Sequence, residues 1–246
     1  MIVRKTNEGW DIIYQYAHGI LAGQIAHQLN HNLRPQLWVE TLTAIIEHDD
    51  NQLDFKEKPY LNLAGMPQDF TEVERSKDEN LERAERIFDT AMRKSGFVAL
   101  LISQHIEFLY GDLGKEHSGF KKMLAKQKKI RKELRNFYNL NKKEALDYYE
   151  ILRFCDRCSL ILCQQQLPAI ERKLEINKSI LDEEYFIFQR SDGTISVEPW
   201  CFENDKFEVG VEIKSIKDST FNSNQELKKA LDASSLKRET FRFSKD

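Results

Sequence analysis

The stretch GFVALLISQHIEFLYG, residues 96–111, is apolar on nearly every side when wound as a helix. A helix of that kind has to be surrounded by other elements, because no single face of it can be left in water. Its histidine, His105, is flanked at helical spacing by Val98, Leu101, Ile102, Phe108 and Leu109, so it points into the packing and away from solvent. At 246 residues the chain can bury roughly 70 to 75 % of its unfolded surface, enough to wrap such a helix and still enclose a site.

The segments available to wrap it are legible from periodicity. Residues 11–30 read as a helix, a polar HNLRPQ turn follows, and Pro35 is placed to open a second helix running to about His48. Residues 51–70, with Pro59, Gly65 and Pro67, read as a long loop of the kind that lines or covers a site. PQDF, residues 67–70, is its candidate closing segment, although Asp69 would equally cap the next helix. A charged helix over about 71–94 precedes the central one, and two long helices, about 117–138 and 142–164, follow it. From Leu181 the pattern changes to β: EYFIFQR, GTISVEP and KFEVGVEIKSI, with Asp192-Gly193 as a hairpin signal and ETFRFS as a further strand. The expectation is a mainly α chain, a helical body over 1–180 followed by a small C-terminal antiparallel β-sheet over 181–246. Trp200, Phe202 and Phe207 are expected to anchor that sheet on the helices.

Within this frame four polar residues point toward cores. His18 shares its helix face with Tyr14, Leu21, Ala22 and Ile25, and His48 with Thr41, Ala44 and Ile45; His105 is placed as above, and Asp156 lies among Tyr149, Leu152, Ser159, Leu160 and Cys163. A histidine on an apolar face is ordinarily a satisfied core residue. A carboxylate there is different, since burying it costs several kcal/mol unless it is paired or bound to a cation. Arg153 and Arg157 project from other faces of the Asp156 helix. Inward histidines and a carboxylate on four separate helices are what a metal site between packed helices requires. The helix before the long loop ends in His48, Asp49 and Asp50, which as plain helix-end chemistry would be a dipole-compensating histidine and two solvated acids.

The segments AHGILAGQIA, EHDD, LLISQHIEFLYG, RFCDRCSL and VEPWCFENDKFEVGV together resemble a bacterial family known as domain of unknown function 3891, over most of the chain. The order His18, then His48-Asp49, then a distant Asp156 is similar to the H…HD…D signature of the HD-domain metal-dependent phosphohydrolases. The resemblance implies an HD-like helical bundle whose divalent metal is held by His18, His48, Asp49 and Asp156. Two imidazoles and two carboxylates suit Mn, Fe, Co, Ni or Zn without selecting among them. His105 would bind a second metal or contact substrate, and Asp50 would accept the proton of an activated water or complete a second site. The binuclear relatives carry two further histidines between the HD pair and the last Asp, where this chain offers only His105 and the loop residue His117. That departure favours one ion. The implied substrate is a small phosphoester or nucleotide; the rivals are a di-iron oxygenase on the same scaffold and a non-catalytic binding or regulatory module.

Bulk properties limit the partners. A formal net charge of -3 provides no global field for a polyanion, so nucleic acid is not an expected partner. The basic run over residues 121–143 has ten cationic residues against Glu133, but Phe120, Leu124, Ile130 and Leu134 trace a core stripe through it, leaving the lysines as a solvated face. His27 and His31 have chelate spacing yet fall on another face and at a helix end. Cys155, Cys158 and Cys163 sit in one helical pattern with Cys201 elsewhere, which reads as core packing and not as a disulfide framework. MIVRKTNEGWDII lacks the apolar run of a signal peptide, and no later run is long enough to span a membrane, so a cytoplasmic location is expected. An exposed sheet edge would offer a surface for a homodimer.

Overall fold

Ile2–Thr6 (β1) and Gly9–Ile13 (β2) pair as an antiparallel hairpin, and β2 runs almost directly into the helix Gln15–Gln28 (α1). This is a computed structural model that describes residues 1–50, 53–180 and 183–246. After a single 3-10 turn at His31–Leu33 come α2 (Trp38–Glu47), α3 (Lys77–Lys94), α4 (Gly96–Tyr110), the one-turn α5 (Leu113–Glu116), α6 (Ser118–Phe137) and α7 (Lys142–Cys163). The rest is β3 (Leu174–Ile180), β4 (Glu183–Gln189), β5 (Ile195–Glu198), β6 (Lys206–Ile216), α8 (Asn224–Ala233) and β7 (Leu236–Ser244).

The helix starts follow local chemistry. Ser76 opens α3 and Asn141 opens α7 with full capping boxes, in which Glu79 and Glu144 bond back to the cap residue's N–H. The Ser95 side chain accepts from Phe97 N–H at 3.1 Å and starts α4. The charged helix therefore begins at Lys77, six residues later than its periodicity suggested, because a capping box sets the start more sharply than the average polarity of the window. As required of it, α4 is buried along most of its length, from Phe97 through Ser103 and again at His105 and Ile106.

The described strands form one sheet of seven in the order β1-β2-β6-β7-β5-β4-β3, antiparallel throughout except where β5 meets β7 in parallel. This overturns the expected mainly α fold, an HD-like helical bundle with a small C-terminal antiparallel sheet: the chain is 49 % helix with a curled mixed sheet of 21 % strand. Two features hid the sheet. The strand GWDII lies against a helix with only Tyr14 between them, so a window starting at residue 11 blends a five-residue strand into fourteen residues of helix. And β2 pairs with β6, more than two hundred residues away, through Trp10↔Ile216, Asp11↔Ser215 and Ile12↔Lys214, a pairing invisible to any local pattern. β3 begins at Leu174, before the expected change at Leu181, which itself lies outside the described residues. Asn51, where the long loop was expected to start, also lies outside them.

Sheet and helices share one core. Gln24 on α1 bonds both ways to the backbone of Gly210 on β6, donating to its carbonyl at 2.9 Å and accepting from its N–H at 3.0 Å. Arg4 on β1 donates to the carbonyls of Leu162 and Cys163 at the end of α7, satisfying groups that a helix end leaves open, and pairs with Glu239 on β7 at 2.6 Å. Trp200, Phe202, Phe207 and Phe243 pack as a ring cluster that meets Phe154 of α7 through Phe202. Among the described residues no helix is long and apolar enough to cross a membrane.

Candidate metal centre

His18 on α1, His48 and Asp49 at the end of α2, His105 on α4 and Asp156 on α7 meet at the centre of the helical layer. Two glycines make the approach of α1 and α2 possible. A Cβ on Gly19 would sit 2.1 Å from the carbonyl oxygen of Ile46, and one on Gly23 would sit 2.5 Å from the Ile46 side chain. The bare face of α1 thus lets the last turn of α2 come into backbone contact, two residues before His48.

The atoms that face one another have metal-ligand spacing. His18 Nε2 and His48 Nε2 are 3.3 Å apart, and each lies close to Asp156 Oδ1, at 3.2 and 3.1 Å. Ligands about 2.1 Å from a common ion are roughly 3.0 Å apart at octahedral and roughly 3.4 Å at tetrahedral geometry. The other ring nitrogens set the tautomers. His48 Nδ1 is 2.6 Å from the Ile45 carbonyl, which can only accept, so Nδ1 carries the proton. His18 Nδ1 is 2.8 Å from Ser159 Oγ, whose own hydroxyl donates to the Asp156 carbonyl, so again Nδ1 carries the proton. With a cation among them, both rings would present Nε2 lone pairs beside the carboxylate oxygen. Three acceptors at this distance repel unless a proton or a cation lies among them, and imidazoles fixed by a second hydrogen bond are how proteins orient metal ligands. The donor set therefore fits a divalent ion.

Asp49 and His105 complete the cluster. His18, His48 and Asp49 form one group whose ligand atoms all lie within 4.8 Å of one another, and His48, His105 and Asp156 form a second. The three histidine rings are buried, while Asp49 and Asp156 are partly exposed. Asp49 Oδ1 accepts from Arg83 Nη2 at 2.8 Å, and Arg83, itself buried, also reaches the Tyr110 hydroxyl at 3.2 Å. Burial disfavours the charged form of His48, yet the facing Asp156 carboxylate outweighs it and lifts the pKa to about 9. Burial would raise Asp156 and Asp49. His48 and His18 instead hold Asp156 well below the carboxylate range, and His48 with Arg83 does the same for Asp49. His105 moves the other way, down to about 4, through burial first and the neighbouring His48 second, so it is a neutral imidazole at physiological pH.

The cluster is open on one side to a cavity of about 230 Å³ bounded by Asp49, His105, Asp156, Arg75, Arg83 and Gln15. Phe70, from the PQDF segment, lines the same cavity, whereas Asp69 accepts from Val3 N–H at 2.8 Å and from Thr71, and caps no helix. Gln15 is buried with its Oε1 unpaired. Asp50 lies elsewhere: its carboxyl is raised to about 6 by partial burial and then by Glu47, and it belongs to neither metal group nor to the cavity lining. His27 and His31 are exposed, and His117 pairs with Asp78 at 3.4 Å away from the cluster. All four cysteines are buried as free thiols, with burial raising their pKa values.

Sequence reasoning passed over Arg83, Arg75 and Gln15. Arg83 had a signal, since it stands four residues before Ile87 on the buried stripe of α3, where an arginine needs a carboxylate partner. Gln15 shares the face of His18 three residues on, which could have marked it, whereas Arg75 precedes the true start of α3 and lies on no stripe of it.

The family model described as Protein of unknown function (DUF3891) matches residues 1–218. No curated protein and no solved structure matches the chain.

Proposed function

The chain belongs to the DUF3891 family, and from the ligand cluster between its core helices we propose that it is a metal-dependent phosphohydrolase acting on a small phosphoester or nucleotide. The observation that carries this reading is the triangle of His18 Nε2, His48 Nε2 and Asp156 Oδ1, with both Nδ1 protons committed elsewhere, beside a cavity lined by two arginines. The order His18, His48-Asp49, Asp156 resembles the ligand set of the HD-domain phosphohydrolases and supports the same reading.

His18, His48, Asp49 and Asp156 would hold the ion, and their donor chemistry suits Mn, Fe, Co, Ni or Zn alike. A divalent ion there would lower the pKa of a bound water from about 15.7 toward roughly 7 and polarise a phosphoryl oxygen. The chain's own residues supply the rest. Arg75 binds the phosphoryl oxygens in the cavity, and Arg83 holds Asp49 in place while adding positive charge behind it. His105, neutral and at the cavity wall, accepts a hydrogen bond or a proton from the attacking water. We assign this task to His105 in preference to Asp50, whose carboxyl sits beside Glu47 and Lys94.

Elemental analysis by mass spectrometry, after reconstitution with each metal in turn, tests the reading together with hydrolysis of p-nitrophenyl phosphate and of nucleotides. The expected result is about one equivalent of metal, lost in both His48→Ala and Asp156→Ala, and phosphate release that depends on it. A wild-type protein that takes up no metal overturns the proposal; one that takes up metal but hydrolyses no phosphoester leaves the binding-module rival as the better account.

A further inference from the structure

Arg75 and Arg83 line two cavities, not one. The second is a cleft of about 60 Å³, to which Lys58 and Arg86 also contribute and whose lining includes none of His18, His48, Asp49, His105 and Asp156. Its charges are the cations Lys58, Arg75, Arg83 and Arg86 and the acids Glu74 and Glu79. Glu79 is spent on Ser76, accepting from its N–H at 2.7 Å, and Arg83 is spent on Asp49. Among the described residues Lys58 and Arg75 have no carboxylate within ion-pair distance; Lys58 rests its ammonium over the Tyr60 ring at 5.1 Å. Both are half-buried, and Arg83 Nε is buried without a hydrogen-bond partner.

Half-buried cations that face one another are costly, and burial followed by the nearby Arg75 and Arg83, only partly offset by Glu79, brings Lys58 down to about 8. An anion in the cleft removes that cost. In the metal-side cavity Asp49 and Asp156 would offset a divalent ion, which leaves the charges of Arg83 and Arg75 to face the dianion of one phosphoryl group. Lys58 is surplus to that group, and Arg86, held only by a loose exposed pair with Glu82 at 4.0 Å, stands beyond it in the same cleft.

We infer that the substrate carries two phosphoryl groups, as a diphosphate or a bisphosphate, with one beside the His18, His48, Asp49 and Asp156 cluster and the other in the Lys58, Arg75 and Arg86 cleft. This inference rests on the phosphohydrolase reading for the first group and adds the second. Arg75, common to both cavities, bridges the two groups, which is the geometry its planar fork suits.

The test is isothermal titration calorimetry of metal-loaded, full-length protein, dialysed free of excess metal, with methylenediphosphonate against methylphosphonate. The diphosphonate is expected to bind at least about tenfold tighter, each tenfold being about 1.4 kcal/mol. Lys58→Met and Arg86→Gln, which line the outer cleft alone, are each expected to remove most of that preference while leaving methylphosphonate affinity and metal content within twofold. Equal affinities for the two ligands in the wild type, or a preference that both variants keep, overturns the inference. Failure of the metal reading is separately visible as absence of bound metal; the same Lys58 and Arg86 comparison in chelator-treated protein then decides the outer cleft by itself.

Discussion

Asp156 joins two of the cluster's histidines, since its Oδ1 faces both His18 and His48 while its carbonyl accepts from Ser159. Asp156→Asn keeps the volume but removes the charge and one acceptor. It is expected to lower metal affinity by at least about a hundredfold, read by competition with a chelating dye. Ser159→Ala leaves every proposed ligand in place but frees His18 Nδ1, and losing such an orienting partner typically costs 10- to 100-fold in metal affinity. Asp50→Asn is expected to leave kcat within about threefold, because its carboxyl is outside the cavity; a loss of two orders of magnitude would return the proton-accepting role to Asp50. The charge of Lys58 gives a pH signature. A lysine lowered to about 8 is cationic below that value and neutral above it, so diphosphonate affinity is expected to fall as pH rises through about 8, and the fall is expected to vanish in Lys58→Met.

Among the elements, the contact of α1 with α2 decides whether the cluster forms. Gly19 meets backbone and Gly23 meets a flexible side chain. Overpacking costs typically 1 to 3 kcal/mol and more where nothing can yield. Gly19→Ala is therefore expected to lower the melting temperature more than Gly23→Ala and, by pushing the end of α2 away, to lose metal even at temperatures where the chain stays folded. Equal effects of the two substitutions would show that the helix approach is not set by backbone contact. The same helices explain what was legible early. The stripes on α1, α4 and α7 placed His18, His105 and Asp156 facing inward, since a 3.6-residue period determines which face a side chain shares. The β1-β2 hairpin was not legible, because five-residue strands leave too short a record and their partner β6 is at the other end of the chain.

Over the whole molecule, the sheet and the helices are tied at both ends of the sequence. Arg4 joins β1 to the end of α7 and to β7, and hydrogen bonds involving charged groups contribute about 1.5 to 3 kcal/mol each. Arg4→Met is expected to lower stability by about 2 to 4 kcal/mol in urea unfolding. Because the N-terminal hairpin is two strands of a sheet completed by residues beyond 200, thermal unfolding followed by near- and far-ultraviolet dichroism is expected to show one transition. Two separated transitions would mean that the helical layer and the sheet are held together less strongly than their shared core implies.

The sequence by itself determined the presence of the long helices α1 to α4, α6 and α7, which polar groups on them face inward, and that a carboxylate among histidines needed a positive partner, because each of these depends on neighbours three or four positions away. Tertiary structure alone decided that those groups meet in one cluster, that the described strands close into one sheet, and that Arg75 and Arg83 line two cavities. These depend on contacts between residues tens to hundreds of positions apart, whose energies come from packing and charge in three dimensions and leave no periodic trace along the chain.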